Sequence, residues 1–173
     1  SVVAAYYNES GITETDKRQN YNSNLTVNRF NLRTNVDMNV TPTTLLNVNV
    51  GGYLQTRNAP KEGIDDVFSA AFKATPFAVP TIYENGMIPK PRENENPWAK
   101  LTQSGFYREG RSKLESLFSV EQDLHCITDG LKAKVIFSYD YYSRNGVDRG
   151  KAPRYYYPAT QRDPVTGELQ TIV

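Results

Sequence analysis

The sequence predicts an all-β fold of about five long antiparallel strands, and three observations support this. Apolar and polar residues alternate over long segments, as they do in strands with two different faces. Two connections between these segments are very short, while the others are very long. Asn, which is normally depleted from strands, recurs inside them. We therefore expect strands with one apolar face and one face that meets water or a polar interior.

The clearest strand is predicted for residues 29–40, where even positions are apolar or Thr and odd positions are polar or charged. A helix would distribute the same apolar residues around its circumference. The break Thr41-Pro42-Thr43 follows, because Pro cannot donate to a strand ladder and favours a turn. A second strand is predicted from Thr44 to Thr56, with a bend or bulge at Gly51-Gly52. Together these segments predict one hairpin.

A second hairpin is predicted further along the chain. Its first strand covers Lys113 to Ile127, its turn is Thr128-Asp129-Gly130, and its return strand covers Leu131 to Ser143. Asp-Gly between alternating segments is a strong hairpin signal. One earlier strand is predicted for Ser1 to Glu9. The acidic start and apolar spacing of residues 64–72 predict a short helix in the longest loop, before a Pro-rich irregular stretch.

Strand length and loop placement extend this prediction to a membrane. Soluble strands average five or six residues, whereas these run to about twelve or more, and a tilted strand crosses a bilayer with about 9–11. The long links, residues 10–28, 57–112 and 144 onward, fall at one end of the strands, as the external loops of outer-membrane barrels do. Aromatic residues towards that end fit an interfacial girdle. We expect a segment of a large antiparallel transmembrane β-barrel with long extracellular loops.

Composition excludes several other classes of protein. The net charge of +1 gives no support for nucleic-acid binding, and no apolar run is long enough for a membrane-spanning helix. The single cysteine, Cys126, excludes an internal disulfide within these 173 residues. His125 and its acidic neighbours fit a wet strand face better than a catalytic or metal site, since no nucleophile or metal-ligand spacing accompanies them. We expect no enzyme activity, no metal and no cofactor.

Two groups of residues are candidate ligand or partner contacts. Tyr155, Tyr156 and Tyr157 form an aromatic run in a predicted loop, where they would stack on sugar rings or a partner, or lie buried among other loops. Arg29 and Arg33 lie on the polar face of the clearest strand, where they would line a substrate path or hydrate and crosslink the interior of a barrel. The sequence leaves these alternatives open.

Several motifs, in this order, resemble the barrel of SusC/RagA-type TonB-dependent outer-membrane transporters. The resemblance covers nearly the whole chain. The motifs that carry it are Arg29-Phe30-Asn31-Leu32-Arg33-Thr34-Asn35-Val36-Asp37, Thr75-Pro76-Phe77, Val79-Pro80-Thr81-Ile82-Tyr83, Asn85-Gly86, Glu95-Asn96-Pro97, Asp123-Leu124-His125-Cys126-Ile127-Thr128-Asp129-Gly130-Leu131 and Ser138-Tyr139-Asp140.

The resemblance implies an architecture and a function. Such transporters have barrels of about 22 strands around an N-terminal plug. Residues 1–173 would then be a partial barrel domain, with the plug and the remaining strands absent, and both ends of the chain resemble cuts through a longer protein. The resemblance implies import of an oligosaccharide or a peptide across the outer membrane of a Gram-negative, Bacteroidetes-like bacterium. It also implies contact with membrane lipid, a SusD-like surface lipoprotein as partner, and TonB as the energy source, acting through parts outside this chain.

Two other hypotheses remain open at this stage. The alternating strands would also suit a soluble all-β carbohydrate-binding or adhesin module, in which the apolar face would meet a second sheet rather than lipid. A general porin or receptor barrel without TonB dependence would share the strand pattern but lack a plug.

Overall fold

A computed structural model of the chain describes residues 1–75, 77, 80–91 and 95–173, and its main element is a five-stranded antiparallel sheet. The strands follow one another in the order β1-β2-β3-β4-β5, so every neighbour in the sheet is also a neighbour in sequence. This confirms the all-β prediction. Within the described residues the sheet is open, with β1 and β5 as its edges. The bounds are β1 Val2–Ser10, β2 Thr26–Thr41, β3 Thr44–Pro60, β4 Gly105–Asp123 and β5 Lys132–Gly150.

The strands are longer than the sequence predicted, and the loops are correspondingly shorter. β3 continues to Pro60, β4 begins at Gly105 instead of Lys113, and β5 continues to Gly150 instead of Ser143. The predicted loops 10–28, 57–112 and 144 onward therefore lose residues at their ends to strands. As a result, the aromatic residues of β5 lie nearer the middle of that strand than we expected.

The end of β4 is the other correction. The predicted strand to Ile127 stops at Asp123, because the Asp123 carboxylate accepts the His125 N–H at 2.9 Å and so turns the chain. The Leu124 carbonyl then accepts the Ile127 N–H at 2.9 Å, and the Thr128 carbonyl accepts the Leu131 N–H at 3.1 Å. The connection to β5 is thus a double turn rather than the tight three-residue turn predicted.

Contacts across the strands fix which residues share a row of the sheet. A Cβ added to Gly51 would lie 3.8 Å from the Leu32 carbonyl oxygen, which places these residues side by side on β3 and β2. Between β3 and β4, a Cβ added to Gly52 would lie 3.3 Å from the Leu114 Cα. Between β4 and β5, Ser116 donates its hydroxyl to the Tyr139 carbonyl oxygen at 2.8 Å. The central parts of β2, β3, β4 and β5 therefore lie level with one another.

The two faces of this sheet differ as the alternation predicted. One face carries exposed apolar side chains: Leu32 is 56% exposed, Phe118 39% and Val135 69%. Phe118 and Phe137 contact across β4 and β5, with ring centroids 6.4 Å apart. The other face carries Asn, Arg, Lys, Asp and Glu side chains.

The chain divides into two compact units. The first holds the sheet proper, residues 1–9, 27–57 and 109–146, and the second holds residues 10–26, 58–108 and 147–173. The second contains α1 (Ile64–Lys73), which confirms the predicted helix, and two elements that the sequence did not reveal. One is helix α2 (Pro97–Thr102), which begins where the Asn96 side chain accepts the N–H groups of the next turn. The other is a small sheet of β6 (Tyr157–Pro158) and β7 (Thr171–Ile172).

The core of the second unit is small. Helix α1 contributes the buried Val67 and Ala70, and α2 contributes the buried Ala99 and Leu101. In the described part of the chain, neither helix is long and apolar enough to cross a membrane. The predicted Pro-rich stretch and the resemblance motifs include Pro76 and Val79, which lie outside the described residues.

Candidate functional site

The polar face of β2 to β5 forms an open groove of about 720 Å³ in the first unit. Most of its lining comes from odd positions of β2, β3 and β4 and even positions of β5, as alternation requires for one face, and Val50 and Ser116 also contribute. Amides, hydroxyls and charges of both signs line it together. The lining residues include Arg33, Asn35, Asp37, Asn49, Gly51, Glu115, Leu117, Ser138 and Asp140.

Gly51 gives this groove a bare floor. A side chain there would contact the Arg33 side chain, since an added Cβ would lie 3.9 Å from Arg33 Cγ and Nε. Because Gly51 has no side chain, the Arg33 side chain has room beside it. The polar groups of the groove offer hydrogen bonds that could orient a ligand.

A second feature of the polar face is a buried carboxylate shared by two arginines. Glu109 on β4 is only 2% exposed, and it forms ion pairs with Arg111 Nε on the same strand and with Arg144 Nη2 on β5, the latter at 2.7 Å. Glu109 and Arg111 share the parity of Glu115, so they belong to the groove face. The buried carboxylate fixes both guanidinium groups while the Arg144 side chain stays 55% exposed.

Arg29 is held on the same face by a different arrangement. Its guanidinium carbon lies 4.1 Å from the centroid of the Tyr53 ring, and its Nε donates to Asn31 Oδ1 at 2.9 Å. Stacking on an aromatic face and one directed hydrogen bond together restrict the guanidinium. The structure thus places both predicted arginines, Arg29 and Arg33, on the polar face of β2. Whether they contact a ligand stays a prediction.

The part of the polar face near the short turns carries lysines in place of arginines. Lys132 Nζ and Lys134 Nζ lie 3.4 and 4.0 Å from Glu121 carboxylate oxygens, so the cations there have a nearby anion. Asn47 donates to Ser119 Oγ at 3.0 Å across β3 and β4. These are ordinary cross-strand pairs that support the sheet.

The three predicted tyrosines lie in the second unit and are not equivalent. Tyr156 is held by its backbone, because its N–H donates to the Ile88 carbonyl at 2.8 Å and its own carbonyl accepts from Lys90 N–H at 3.0 Å. Tyr155 is partly buried, and burial raises the pKa of its hydroxyl. Tyr157 is exposed in β6, and Lys90 Nζ lies 5.4 Å from its ring centroid. The three side chains therefore differ in exposure, and only Tyr157 is strongly exposed. The predicted ligand or partner role of the three stays untested.

Sequence reasoning missed a polar network that fastens the loops of the second unit. The buried Asp16 carboxylate accepts hydrogen bonds from the Arg18 guanidinium, at 2.8 Å from Nη2, and from Gln103 Nε2 at 2.9 Å. The Arg18 hydrogen bonds hold the pKa of Asp16 below its ordinary value. Tyr21 donates to the Thr102 carbonyl at 2.8 Å. The contacts of Gln103 and Thr102 with Asp16 and Tyr21 join segments about 85 residues apart in sequence, so no local sequence pattern predicts them.

The residues considered for catalysis or metal binding do not form a cluster. His125 lies exposed in the β4–β5 connection, with Nδ1 3.4 Å from Asp123, and not on a strand face as the sequence suggested. Within the described residues, no group of three or more His, Cys, Asp or Glu side chains is arranged to hold a metal ion. The surfaces described above offer a ligand hydrogen bonds, charge and aromatic contact.

Comparison with known proteins does not add to this description, since no family model, no curated protein and no solved structure matches the chain.

Proposed function

We propose that this chain forms one wall of an outer-membrane β-barrel that actively imports an oligosaccharide or a peptide. In this proposal the protein is a TonB-dependent transporter of the SusC/RagA type, with a SusD-like surface lipoprotein as partner. TonB would act through parts of the protein outside these residues. The chain binds and conducts its substrate and performs no covalent chemistry. The motif resemblance suggests the transporter class, and the geometry of the sheet supports a membrane barrel.

The observation that carries the proposal is an apolar band at one level of the sheet. On the apolar face, residues are apolar or small from Phe30 to Val40 on β2, Leu46 to Leu54 on β3, Leu114 to Val120 on β4 and Ala133 to Tyr141 on β5. The rows established above place these four segments side by side. Nine residues extend about 30 Å along a strand, and a tilt of about 40° reduces this to about 23 Å. The lipid-facing band of outer-membrane barrels is about 25 Å tall.

The edges of this band support the same reading. Beyond it on the same face come Thr56 on β3, Ser112 on β4 and Ser143 on β5, whose hydroxyl groups suit a polar interface. Inside the band, the hydroxyl of Ser116 donates to the Tyr139 carbonyl and so does not require water. The strands run to 16, 17, 19 and 19 residues, more than the 9–11 or so that a tilted strand needs to cross a bilayer.

The opposite face supports a polar lumen. Water-filled or plugged barrels carry hydrogen-bonding and charged side chains inside, and the groove lined by Arg33, Asn49 and Glu115 has this character. In lipid the edges of an open sheet would leave backbone groups without partners. The proposal therefore requires further strands to pair with β1 and β5.

The test is to produce the full-length protein that carries this chain in a Gram-negative host and to separate its membranes. The proposal expects recovery with the outer membrane, release only by detergent, and a folded form that migrates differently from the boiled form in SDS gels. A soluble monomer of about the 19.6 kDa of this chain, recovered without detergent, would overturn it in favour of a soluble binding module. Uptake of substrate in hosts with and without TonB then separates the active importer from a passive porin, because only the importer loses uptake with TonB.

A further inference from the structure

We infer that the arginines of the polar face form a site for carboxylate groups of the transported ligand, so that the substrate is anionic. That the ligand is transported rests on the proposed function, whereas the binding site itself rests on the side chains of the sheet. The arginines concerned are Arg29, Arg33, Arg111 and Arg144, which lie on β2, β4 and β5 on one face.

The first step is that two of these guanidinium groups are preorganised. Glu109 forms ion pairs with both Arg111 and Arg144. Because Glu109 is buried, its carboxylate contacts these arginines rather than solvent. A guanidinium carries five N–H donors in a fixed fork. The Arg144 side chain is 55% exposed, so a ligand on the polar face can reach it.

The second step is that Arg29 is oriented without a carboxylate. Its partners are the Tyr53 ring and the Asn31 amide oxygen, both neutral, so its charge is not compensated by these contacts. Stacking leaves the edge of a guanidinium open for the paired hydrogen bonds that carboxylates accept. Holding the side chain in place lowers the entropy that a ligand would otherwise have to remove.

The third step is the local balance of charge. The polar-face positions from 29 to 33 on β2, 109 to 115 on β4 and 140 to 144 on β5 hold five cations and three carboxylates. This part of one face is thus more positive than the whole chain, whose net charge is +1. At the opposite end of the same face, Lys132 and Lys134 lie beside Glu121, so the cations in these contacts are lysines, which lack the planar fork of donors that matches a carboxylate.

The fourth step is spacing. β2 and β4 are two strands apart, so their backbones are about 10 Å apart. Arg29 and the Arg111–Arg144 pair thus present donors at two separated points. A ligand with repeated carboxylates, such as an acidic oligosaccharide or an acidic peptide, would engage both points at once. A neutral sugar would leave the guanidinium charges without a counterion.

The test measures binding of defined probes to the detergent-solubilised full-length protein by calorimetry. The probes are tetragalacturonic acid, tetraglutamate and the neutral cellotetraose. We expect at least one acidic probe to bind 10-fold or more tightly than the neutral probe, and to weaken as salt is raised. The acidic probe that binds identifies the source of the carboxylates as a glycan or a peptide. Equal binding of acidic and neutral probes, or no binding of either acidic probe, would overturn the inference.

Three substitutions sharpen the test. Arg29→Gln and Arg144→Gln should each weaken the acidic probe about 10-fold or more, because charge-assisted hydrogen bonds contribute about 1.5–3 kcal/mol. Lys132→Gln removes the same charge at the far end of the polar face and should change binding less than twofold. If Arg144→Gln fails to fold because Glu109 loses a partner, Arg29→Gln still decides, since Arg29 does not contact Glu109 in an ion pair. Equal effects of Arg29→Gln and Lys132→Gln would reject a located site.

The two proposals fail separately. A protein that fractionates with the outer membrane but shows no preference for acidic probes contradicts only the anion site. A soluble protein whose acidic-probe binding is lost on Arg29→Gln contradicts only the transporter.

Discussion

Substituting Val36 by Lys tests the membrane assignment most directly. Val36 lies near the middle of the apolar band that runs from Phe30 to Val40 on β2, and it is 41% exposed. In water such a change alters the free energy of unfolding by about 0.5 kcal/mol or less, because an exposed site gains or loses little contact. At the middle of a bilayer, a lipid-facing Lys in a barrel costs about 2–4 kcal/mol. That range corresponds to about a 30- to 900-fold loss in the folding equilibrium constant.

The control is Asn35→Lys, at the preceding residue of the same strand but on the polar face, where Asn35 lines the groove with Asp37 and Glu115. A cation there meets carboxylates, and we expect a change within about 0.5 kcal/mol. Both variants of the full-length protein would be unfolded with urea in lipid vesicles, and the free energies of unfolding compared. Two equal, small changes would refute lipid contact at Val36 and would favour a face that meets water. A large loss for Asn35→Lys alone would mean that the two faces are assigned the wrong way round.

Two further predictions concern the backbone and pH. Gly52→Ala should destabilise the protein by about 1–3 kcal/mol, since its Cβ would lie 2.3 Å from the backbone oxygen of Lys113. Gly51→Ala is the control and should be nearly neutral, because its nearest contact would lie at 3.8 Å. Equal midpoints of the two variants in urea unfolding would contradict this prediction. Asp16→Asn should destabilise by about 1.5–3 kcal/mol through loss of the Arg18 hydrogen bonds. Because the folded pKa of Asp16 lies below its ordinary 3.8, this stability is complete above that pH and is lost as the pH falls through the folded pKa, so thermal melts of wild type and variant should differ at pH 7 and converge in acid.

The sequence predicted the faces of the sheet because alternation is a local property. Every second residue of β2 and β3 shows which side it occupies, and this assigned Arg29 and Arg33 correctly to the polar face. Helix α1 was predicted for the same reason, from its acidic first turn and apolar spacing. The start of β4 was missed because Gly110 and the charged residues around it interrupt the alternation, although the segment is a strand of the five-stranded sheet.

The partners within the polar face could not be predicted in the same way. Glu109 and Arg144 are 35 residues apart, and their contact depends on the register of β4 against β5, which one residue of slip would reverse. The same holds for Arg29 and Tyr53 across β2 and β3. Asp16 and Gln103 meet only because long loops fold onto each other. In each case the residue types were visible, but their pairing is a property of the folded chain.

The apolar face also bears on the choice between lipid and a second sheet as the proposed cover. A sandwich would bury Leu32, Phe118 and Val135 against an inner face of comparable size. Within the described residues, the second sheet that the chain offers is β6 and β7, each two residues long. A sandwich therefore needs a second sheet from outside these residues that covers an apolar band of about seven to eleven residues on each of four strands. A bilayer supplies a cover to every strand alike, which is why we favour lipid.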